Sequence, residues 1–512
     1  MKLQKLSSSN CSKIEGKKIC CYEKSISYLN ELCDKYDIQK RIDLVIDDNA
    51  RNQGNFTFRG KNIQVCSVLE LQDIAWDDYA IIITSDYHNE AYEKLSVIDF
   101  VSDKLEVIYY FANQETEFEE EYREFYKEHT LEDIIVFRSG PHSSAYIEGM
   151  DFGDNARALF EYLLKNGYNA KYKLIWFVKK PENFVRYSEY KNVSFVSFDW
   201  SVSEKKIERD AYYQALCLAK YIFFTDAYGF ARNCRKDQIR VQLWHGCGFK
   251  TRVNFVRCEK RYEYTTVISD LYADIHEDIF GLRAEQLLVT GYAKQDWLFE
   301  GLSADKKAEL KLPKADKMIF WLPTFRIADK SLAHLNEYYL ASETGLPIVN
   351  TQKELEKLNR ILMNKNMVLI IKLHPFQAKE TVQCKNLSNV ILLDNHELYE
   401  FDVQINQLLS EADALISDYS SAAVDYMLLD RPLAFTLEDV DEYEASRGFI
   451  FDNVKEWMPG KEIFSFEDLC TYVYEISDGV DFAKEKRQQL KTVMHKFADG
   501  NSCKRIAEAL DL

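Results

Sequence analysis

Residues 414–452, ALISDYSSAAVDYMLLDRPLAFTLEDVDEYEASRGFIFD, decide how this chain is built. Ala414-Leu415-Ile416 is a short apolar run of β type. It stops at Ser417-Asp418-Tyr419-Ser420-Ser421, where a helical pattern begins. Such a handover gathers the free N–H groups of a first helical turn, the positive end of the helix dipole and two adjacent hydroxyls at one spot. That is the physics of an anion site, most naturally for phosphate. Ser and Asp at this point also cap a helix, and the two roles are compatible.

Working outward, the same strand-then-helix rhythm recurs along the chain. Apolar runs lie at Ile42–Ile46, Ala80–Thr84, Val107–Tyr110, Ile134–Phe137, Leu174–Val178, Tyr221–Thr225 and Val241–Trp244. They continue at Thr265–Ile268, Leu287–Thr290, Ile319–Leu322, Val368–Leu373, Val390–Leu393 and Leu433–Phe435. Near-continuous apolar strands with helices between them predict parallel sheets covered on both faces. The fold class is α/β throughout.

Three blocks follow from this layout. Residues 1–130 form a small Rossmann-like domain. It opens with the run Lys17 to Tyr22 and a helix, and acidic residues end the strand Ile42–Ile46. The turn after its first strand, Glu23-Lys24-Ser25-Ile26-Ser27, holds no glycine, so a dinucleotide pyrophosphate could not approach the backbone there. A structural or acceptor-orienting role is expected instead. The charged run Glu115 to Glu128 predicts an exposed helix leading into a second block, 131–312, which ends in a polar linker at Ser303 to Lys307. The third block, 313–512, ends in a helical tail from Phe482.

Composition narrows the partners. With 65 basic and 83 acidic residues the net charge is −18, which excludes a general affinity for nucleic acid. A polyanionic ligand must therefore meet a local basic pocket. Twelve scattered cysteines without a CxxC pair, and a start with no apolar signal segment, predict reduced thiols in a cytoplasmic protein. Apolar runs such as Met367 to Ile371 fall far short of the ~20 residues a membrane helix needs. Membrane contact, at the inner face of the cell membrane, would be peripheral; homo-oligomerisation is left open.

Open α/β sheets place ligands at strand ends. Four segments end apolar strands with polar residues: Gln242 to Gly248 (QLWHGCG), Trp321 to Arg326 (WLPTFR), Lys372 to Pro375 (KLHP), and Ser417 to Ser421. Two of the nine histidines, His245 and His374, follow strands directly. Lys250, Arg252, Arg257, Lys260 and Arg261 gather after the first segment, a basic exception in an acidic chain and suited to phosphates. No Walker A, GxGxxG, HExxH, GxSxG or kinase set occurs. Asp439-Val440-Asp441 mimics a DxD metal site, but its acidic setting reads as solvated surface.

Taken together and in this order, these segments resemble the CDP-glycerol glycerophosphotransferase family of teichoic acid primases and polymerases. Asp154 to Leu159, Val289 to Tyr292, Asp425, Arg431-Pro432 and Arg447-Gly448-Phe449 belong to the same likeness, which spans about residues 150–505. One departure is Cys247-Gly248-Phe249-Lys250, where the family usually carries residues like Thr-Pro-Leu-Lys.

The resemblance implies a GT-B architecture, two Rossmann-like lobes with the nucleotide donor held mostly on the C-terminal one. It implies transfer of an alditol phosphate from CDP-glycerol or CDP-ribitol to a hydroxyl of a glycan or lipid-linked glycan acceptor, in teichoic acid, capsule or related surface-glycan synthesis. His245 and His374 would then be catalytic. Arg326, Lys372, Asp418, Ser420 and Ser421 would hold the pyrophosphate, and Lys250 and Arg252 would contact acceptor or phosphate. No metal or other cofactor is expected. A GT-B glycosyltransferase using a nucleotide sugar, or a non-catalytic nucleotide- or glycan-binding module, would fit the same fold and anion site.

Overall fold

A computed structural model of the chain describes residues 1–47, 52–85, 88–140, 149–198, 206–225, 230, 235, 237–250, 261–311, 313–324, 342–374, 387–393, 395–446 and 448–512. It divides into two units, one built on Met1–Thr130 and the other taking in most of the chain from Leu131 to Leu512.

The first unit carries strands β1 (Lys2–Lys5), β2 (Lys18–Tyr22), β3 (Ile42–Ile46), β4 (Gly54–Phe58), β5 (Lys61–Cys66), β6 (Tyr79–Ile83) and β7 (Val107–Tyr110). They run in the order β1-β7-β6-β2-β3-β5-β4, parallel except for the hairpin of β4 and β5. That hairpin turns at Arg59 and Gly60, both with positive φ, as a tight hairpin turn requires. Side chains alternate between two cores. Ile19, Cys21, Val45 and Ile82 meet the helix Ile26–Tyr36 on one face, while Cys20, Ile46 and Ile83 meet Leu95 and Val101 on the other. The acidic run forms the helix Gln114–Tyr126, capped by Asn113. It is not wholly exposed: Thr116 and Glu119 are buried, and Glu120 and Glu117 pair with Lys5 and Lys35 at 2.8 and 3.0 Å.

In the second unit β8 (Glu132–Arg138), β9 (Lys173–Val178), β10 (Val193–Ser197), β11 (Ala219–Phe224), β12 (Ile239–Gln242), β13 (Tyr264–Val267) and β14 (Leu287–Val289) make one sheet. Its order is β10-β9-β8-β11-β12-β13-β14, and its strand pairs are parallel. A further sheet holds β15 (Lys317–Trp321), β16 (Met367–Lys372), β17 (Val390–Leu393), β18 (Ala414–Ser417), β19 (Leu433–Thr436) and β20 (Lys461–Ile463). Its order is β17-β16-β15-β18-β19-β20, again parallel. Every residue of β16 and β18 is buried, which is why Met367 to Ile371 and Ala414 to Ile416 are continuously apolar rather than alternating.

Two sequence expectations change here. The stretch expected to be a polar linker forms a short helix, Ala304–Glu309, whose first turn is capped by the Ser303 hydroxyl. The tail is helical, over Lys484–Met494 and Ser502–Ala509, but it does not stay with the third sheet. Cys503, Ile506, Ala507 and Leu510 join the core of the second sheet, against Ala156, Leu159 and Trp297. The Asp296 carboxylate accepts the N–H groups of Ser502 and Cys503, both at 2.8 Å, and so caps this last helix from the other lobe. Residues 313–512 therefore contribute to both lobes.

Candidate functional site

The site is built around the exit from β12. Leu243 donates its N–H to the Phe224 carbonyl at 2.8 Å, extending the sheet by one residue. The chain then breaks sharply. Trp244 adopts φ 57°, a left-handed conformation that a bulky residue holds only under constraint. The constraint is visible: the Trp244 N–H is taken by the Gln242 side chain at 3.1 Å, and its indole N–H donates to the Gly246 carbonyl at 2.9 Å. The turned Trp244 ring stacks on His245, centroids 4.5 Å apart.

Gly246 and Gly248 are needed because another element passes close by. A Cβ on Gly246 would lie 2.5 Å from the Ser421 hydroxyl, and one on Gly248 3.2 Å from the Ser421 Cα. Ser421 begins the helix Ser421–Tyr426, and Ser420 is its cap, accepting the Ala422 N–H at 3.3 Å. The strand-to-helix junction of one lobe thus abuts the histidine loop of the other. Two more pairings tie the histidine loop to another stretch of that lobe: Lys250 bridges to Phe449, and the Ile450 N–H donates to the Phe249 carbonyl at 2.9 Å.

Beside this contact lies a cleft of about 710 Å³. His245, Asp154, Arg157 and Thr225 line it from one lobe; Lys372, His374, Asp402 and Gln404 line it from the other. The cleft is bridged by Arg157, which pairs with Asp402 at 2.8 Å, and by the Asp154 N–H, which donates to the Gln404 side chain at 3.0 Å. Burial, with Lys250 and Lys372 nearby, holds the His374 imidazole well below its ordinary value. At neutral pH this ring is uncharged, so it can accept a proton or share a hydrogen bond but does not serve as a phosphate-binding cation.

The other sequence-derived residues fall as follows. Lys250 donates to the Thr324 hydroxyl at 3.3 Å. Asp418 is fully buried and accepts both the Thr324 N–H, at 2.7 Å, and its hydroxyl. A carboxylate so engaged supports Thr324 rather than meeting a phosphate, which it would repel; this corrects its expected place among the pyrophosphate contacts. Ser420 and Ser421 sit beside the cleft, at the Gly246 contact, rather than among its lining residues. Arg326 and Arg252 lie outside the described residues, as does Arg447. Of the DxD pair, Asp439 is buried and accepts the Tyr419 hydroxyl at 2.8 Å, while Asp441 is exposed on the next helix, so the two do not share a site.

The departure at Cys247 points inward. Its Sγ lies 2.7 Å from the Tyr292 hydroxyl and 3.6 Å from His276 Nε2, and burial pushes the thiol up. Cys247 packs behind the loop and leaves the face of the cleft to His245. Two residues that sequence reasoning did not single out complete the site, Asn155 and Lys294. Asn155 lies in the Asp154 to Leu159 segment of the likeness, at the start of the helix Asp154–Lys165; for Lys294 the signal is its place just after the strand-end glycine Gly291.

Two parallel-sheet lobes meeting at a cleft lined by strand-end residues define the GT-B class of fold. Residues 131–511 match the family described as CDP-glycerol:poly(glycerophosphate) glycerophosphotransferase, and the chain belongs to that family. Among its relatives, the teichoic acid ribitol-phosphate polymerase TarL of Staphylococcus aureus is 28% identical over 315 residues, 57% of this chain and 51% of TarL. A teichoic acid poly(glycerol phosphate) polymerase of Staphylococcus epidermidis is 26% identical over 381 residues, 69% of this chain and 46% of the relative. The teichoic acid glycerol-phosphate primase of Bacillus subtilis is 27% identical over 296 residues, 54% of this chain and 69% of the primase. The chain thus spans about half the length of these two polymerases. The solved wall teichoic acid polymerase TagF superposes with a TM-score of 0.57 at 20% identity, covering 77% of this chain and 93% of that one, and shows the same fold.

Proposed function

We propose that the protein transfers an alditol phosphate from a CDP-alditol, CDP-glycerol or CDP-ribitol, to a hydroxyl of a glycan or lipid-linked glycan acceptor, releasing CMP. The observation that carries this reading is the convergence of His245, from one lobe, with Lys372 and His374, from the other, on a single cleft beside the Ser421–Gly246 contact. Membership of the glycerophosphotransferase family supports the choice of donor.

In the proposed reaction the acceptor hydroxyl attacks the β-phosphorus in line with the departing CMP oxygen. The O–P bond to the acceptor forms as the bond to CMP breaks. His245 takes the hydroxyl proton, and its stacking on Trp244 fixes the ring for that task. Lys372, Arg326 and the N–H groups at Ser420 and Ser421 meet the charge on the phosphates. His374, held neutral by burial with Lys250 and Lys372 nearby, donates or accepts a hydrogen bond at the same phosphates without adding charge. In this reading fixed cations and the helix start carry the phosphate charge, and no metal is assigned a part.

We place the acceptor at the inner face of the cell membrane. No helix among the described residues is long and apolar enough to cross a membrane, so the contact would be peripheral.

The test is a donor panel. Purified protein is given CDP-glycerol, CDP-ribitol and UDP-sugars with a glycan acceptor, and CMP or UDP release is followed. CMP release from one CDP-alditol is expected. UDP release instead would make the protein a glycosyltransferase, and no release from any donor would make it a binding module.

A further inference from the structure

Three consecutive carbonyls in the histidine loop are held by side chains from the same buried cluster. The Asn155 amide donates to the carbonyls of Leu243 and Trp244 at 3.1 and 2.9 Å. The next carbonyl, that of His245, accepts from the Lys294 ammonium. Asn155 and Lys294 are themselves joined, since the Lys294 N–H donates to the Asn155 side-chain oxygen at 3.0 Å. Both residues are buried.

The ammonium also reaches across the lobes. Its Nζ lies 3.3 Å from Asp154, on its own lobe, and 3.8 Å from Asp425, on the helix that Ser421 begins. Asp425 is buried as well, and its carboxylate accepts Gln295 at 2.7 Å from the first lobe and Asn406 at 3.5 Å from its own. Burial opposes the charge on Lys294, but Asp154 and Asp425 more than offset this and hold the ammonium protonated. A buried charge persists only where it is paired, and here each lobe supplies one partner, Asp154 and Asp425.

We propose that Lys294 is a positioning residue for the transfer reaction. Its ammonium fixes the backbone of His245 and, through Asp425, ties the loop to the Ser421 helix of the other lobe, so that the placement of the proton acceptor is coupled to how the two lobes meet. This rests on the reading of His245 as the proton acceptor. Lys294 touches no reacting atom; it acts through the His245 carbonyl. A simple role in stability would weaken folding, nucleotide binding and turnover alike, whereas a positioning role separates them.

The experiment compares full-length wild type with Lys294→Gln, Lys294→Arg and Asp425→Asn. Three quantities are measured: kcat for CMP release, CMP affinity by calorimetry, and amide hydrogen exchange in the peptide spanning residues 243–249. Lys294→Gln is expected to lose on the order of 10²-fold in kcat, the scale of a misplaced catalytic group, with CMP affinity within about threefold. Lys294→Arg should restore most of that loss. Exchange in the loop peptide should quicken about tenfold in Lys294→Gln and stay unchanged in peptides from β16 and β18. Turnover equal to wild type, or equal losses in kcat and CMP affinity, overturns the proposal. If Lys294→Gln does not fold, Asp425→Asn decides: about a tenfold fall in kcat with CMP affinity retained supports it, and full turnover overturns it. Should wild type release no CMP from any donor, the reading of the reaction fails on its own. The exchange measurement then still judges whether Lys294 holds the loop.

Discussion

Ser421 and Gly246 lie so close that a methyl group on the glycine would meet the serine hydroxyl at 2.5 Å and its Cβ at 2.9 Å. One residue belongs to the lobe that begins the phosphate-type helix and the other to the loop that carries His245. Rotating the serine relieves only the first of these clashes, so any side chain at Gly246 forces the two segments apart. Gly246 also has φ 153°, which strains an L-residue whatever the space. Gly246→Ala is therefore expected to lose on the order of 10²-fold in CMP release while the protein still folds and still binds CMP. Normal turnover in that variant would show that the contact has no part in catalysis.

His245→Ala removes the proton acceptor but leaves the cleft's other wall intact. Turnover should fall by roughly 10²–10⁴-fold, with CMP affinity by calorimetry unchanged. A variant as active as wild type would remove His245 from the mechanism.

Lys250 is one of the two cations that, after burial, hold His374 below its ordinary value. A group shifted down stays neutral as pH falls through the normal histidine range and gains its proton only at more acid pH. If the neutral ring is the active form, wild-type activity should stay level through about pH 6.5 and decline only below it. Lys250→Met takes away one repelling charge, which raises the His374 value and moves the acid limb toward neutral pH. An acid limb in the same place for both proteins would rule His374 out as the group that sets it.

His495 offers a pH effect on stability. It is buried, and its Nε2 lies 2.8 Å from the Val424 carbonyl; burial lowers the ring to about 4. The unfolded chain binds a proton near pH 6.5 that the folded chain refuses, so stability is full above that value and is lost as pH falls toward 4. The loss reaches about 3 kcal/mol at the bottom of that window. Urea unfolding at pH 7.5 and 4.5 measures it. His495→Asn, which does not titrate, should show a smaller difference between the two pH values, and an equal difference would assign the effect to other groups.

Metal removal makes a separate test of the charge assignments. If Lys372, Arg326 and the helix start balance the phosphates, EDTA should leave CMP release intact. Abolition by EDTA, with recovery on adding magnesium or manganese, would give the work to a metal ion.

Much of the fold could be read from the chain because its central strands are buried on both faces. Tyr79–Ile83, Met367–Lys372 and Ala414–Ser417, inner strands buried throughout, lie within a residue of where their apolar runs predict. The strands without such a signal are short or at sheet edges. Lys2–Lys5 is KLQK and Lys461–Ile463 is KEI, where half or more of the side chains are polar and no apolar run exists to see. The same physics governs the site. His245 and His374 could be picked out because each follows a strand, and strand ends are where ligands sit. The closeness of Ser421 to Gly246, and the hold of Asn155 and Lys294 on three carbonyls, depend on how two lobes meet, which local pattern does not encode. Asp418 misled for a related reason: an acid beside two serines resembles a cap or a site, and only the fold shows it spent on Thr324.

The return of the tail to the first lobe has a bearing on how the protein is made. Tyr221 and Leu510, 289 residues apart in sequence, are joined by a hydrogen bond within a core that Cys503, Ile506 and Ala507 also fill. As the chain leaves the ribosome, strands β8 to β14 appear early yet face an unfilled groove until the last helix arrives. The earlier lobe is thus completed only after the strands of the later one have been made. Until residues 503–510 have emerged, the apolar surface around Ala156, Leu159 and Trp297 lacks this cover, and exposed apolar surface of that kind favours aggregation.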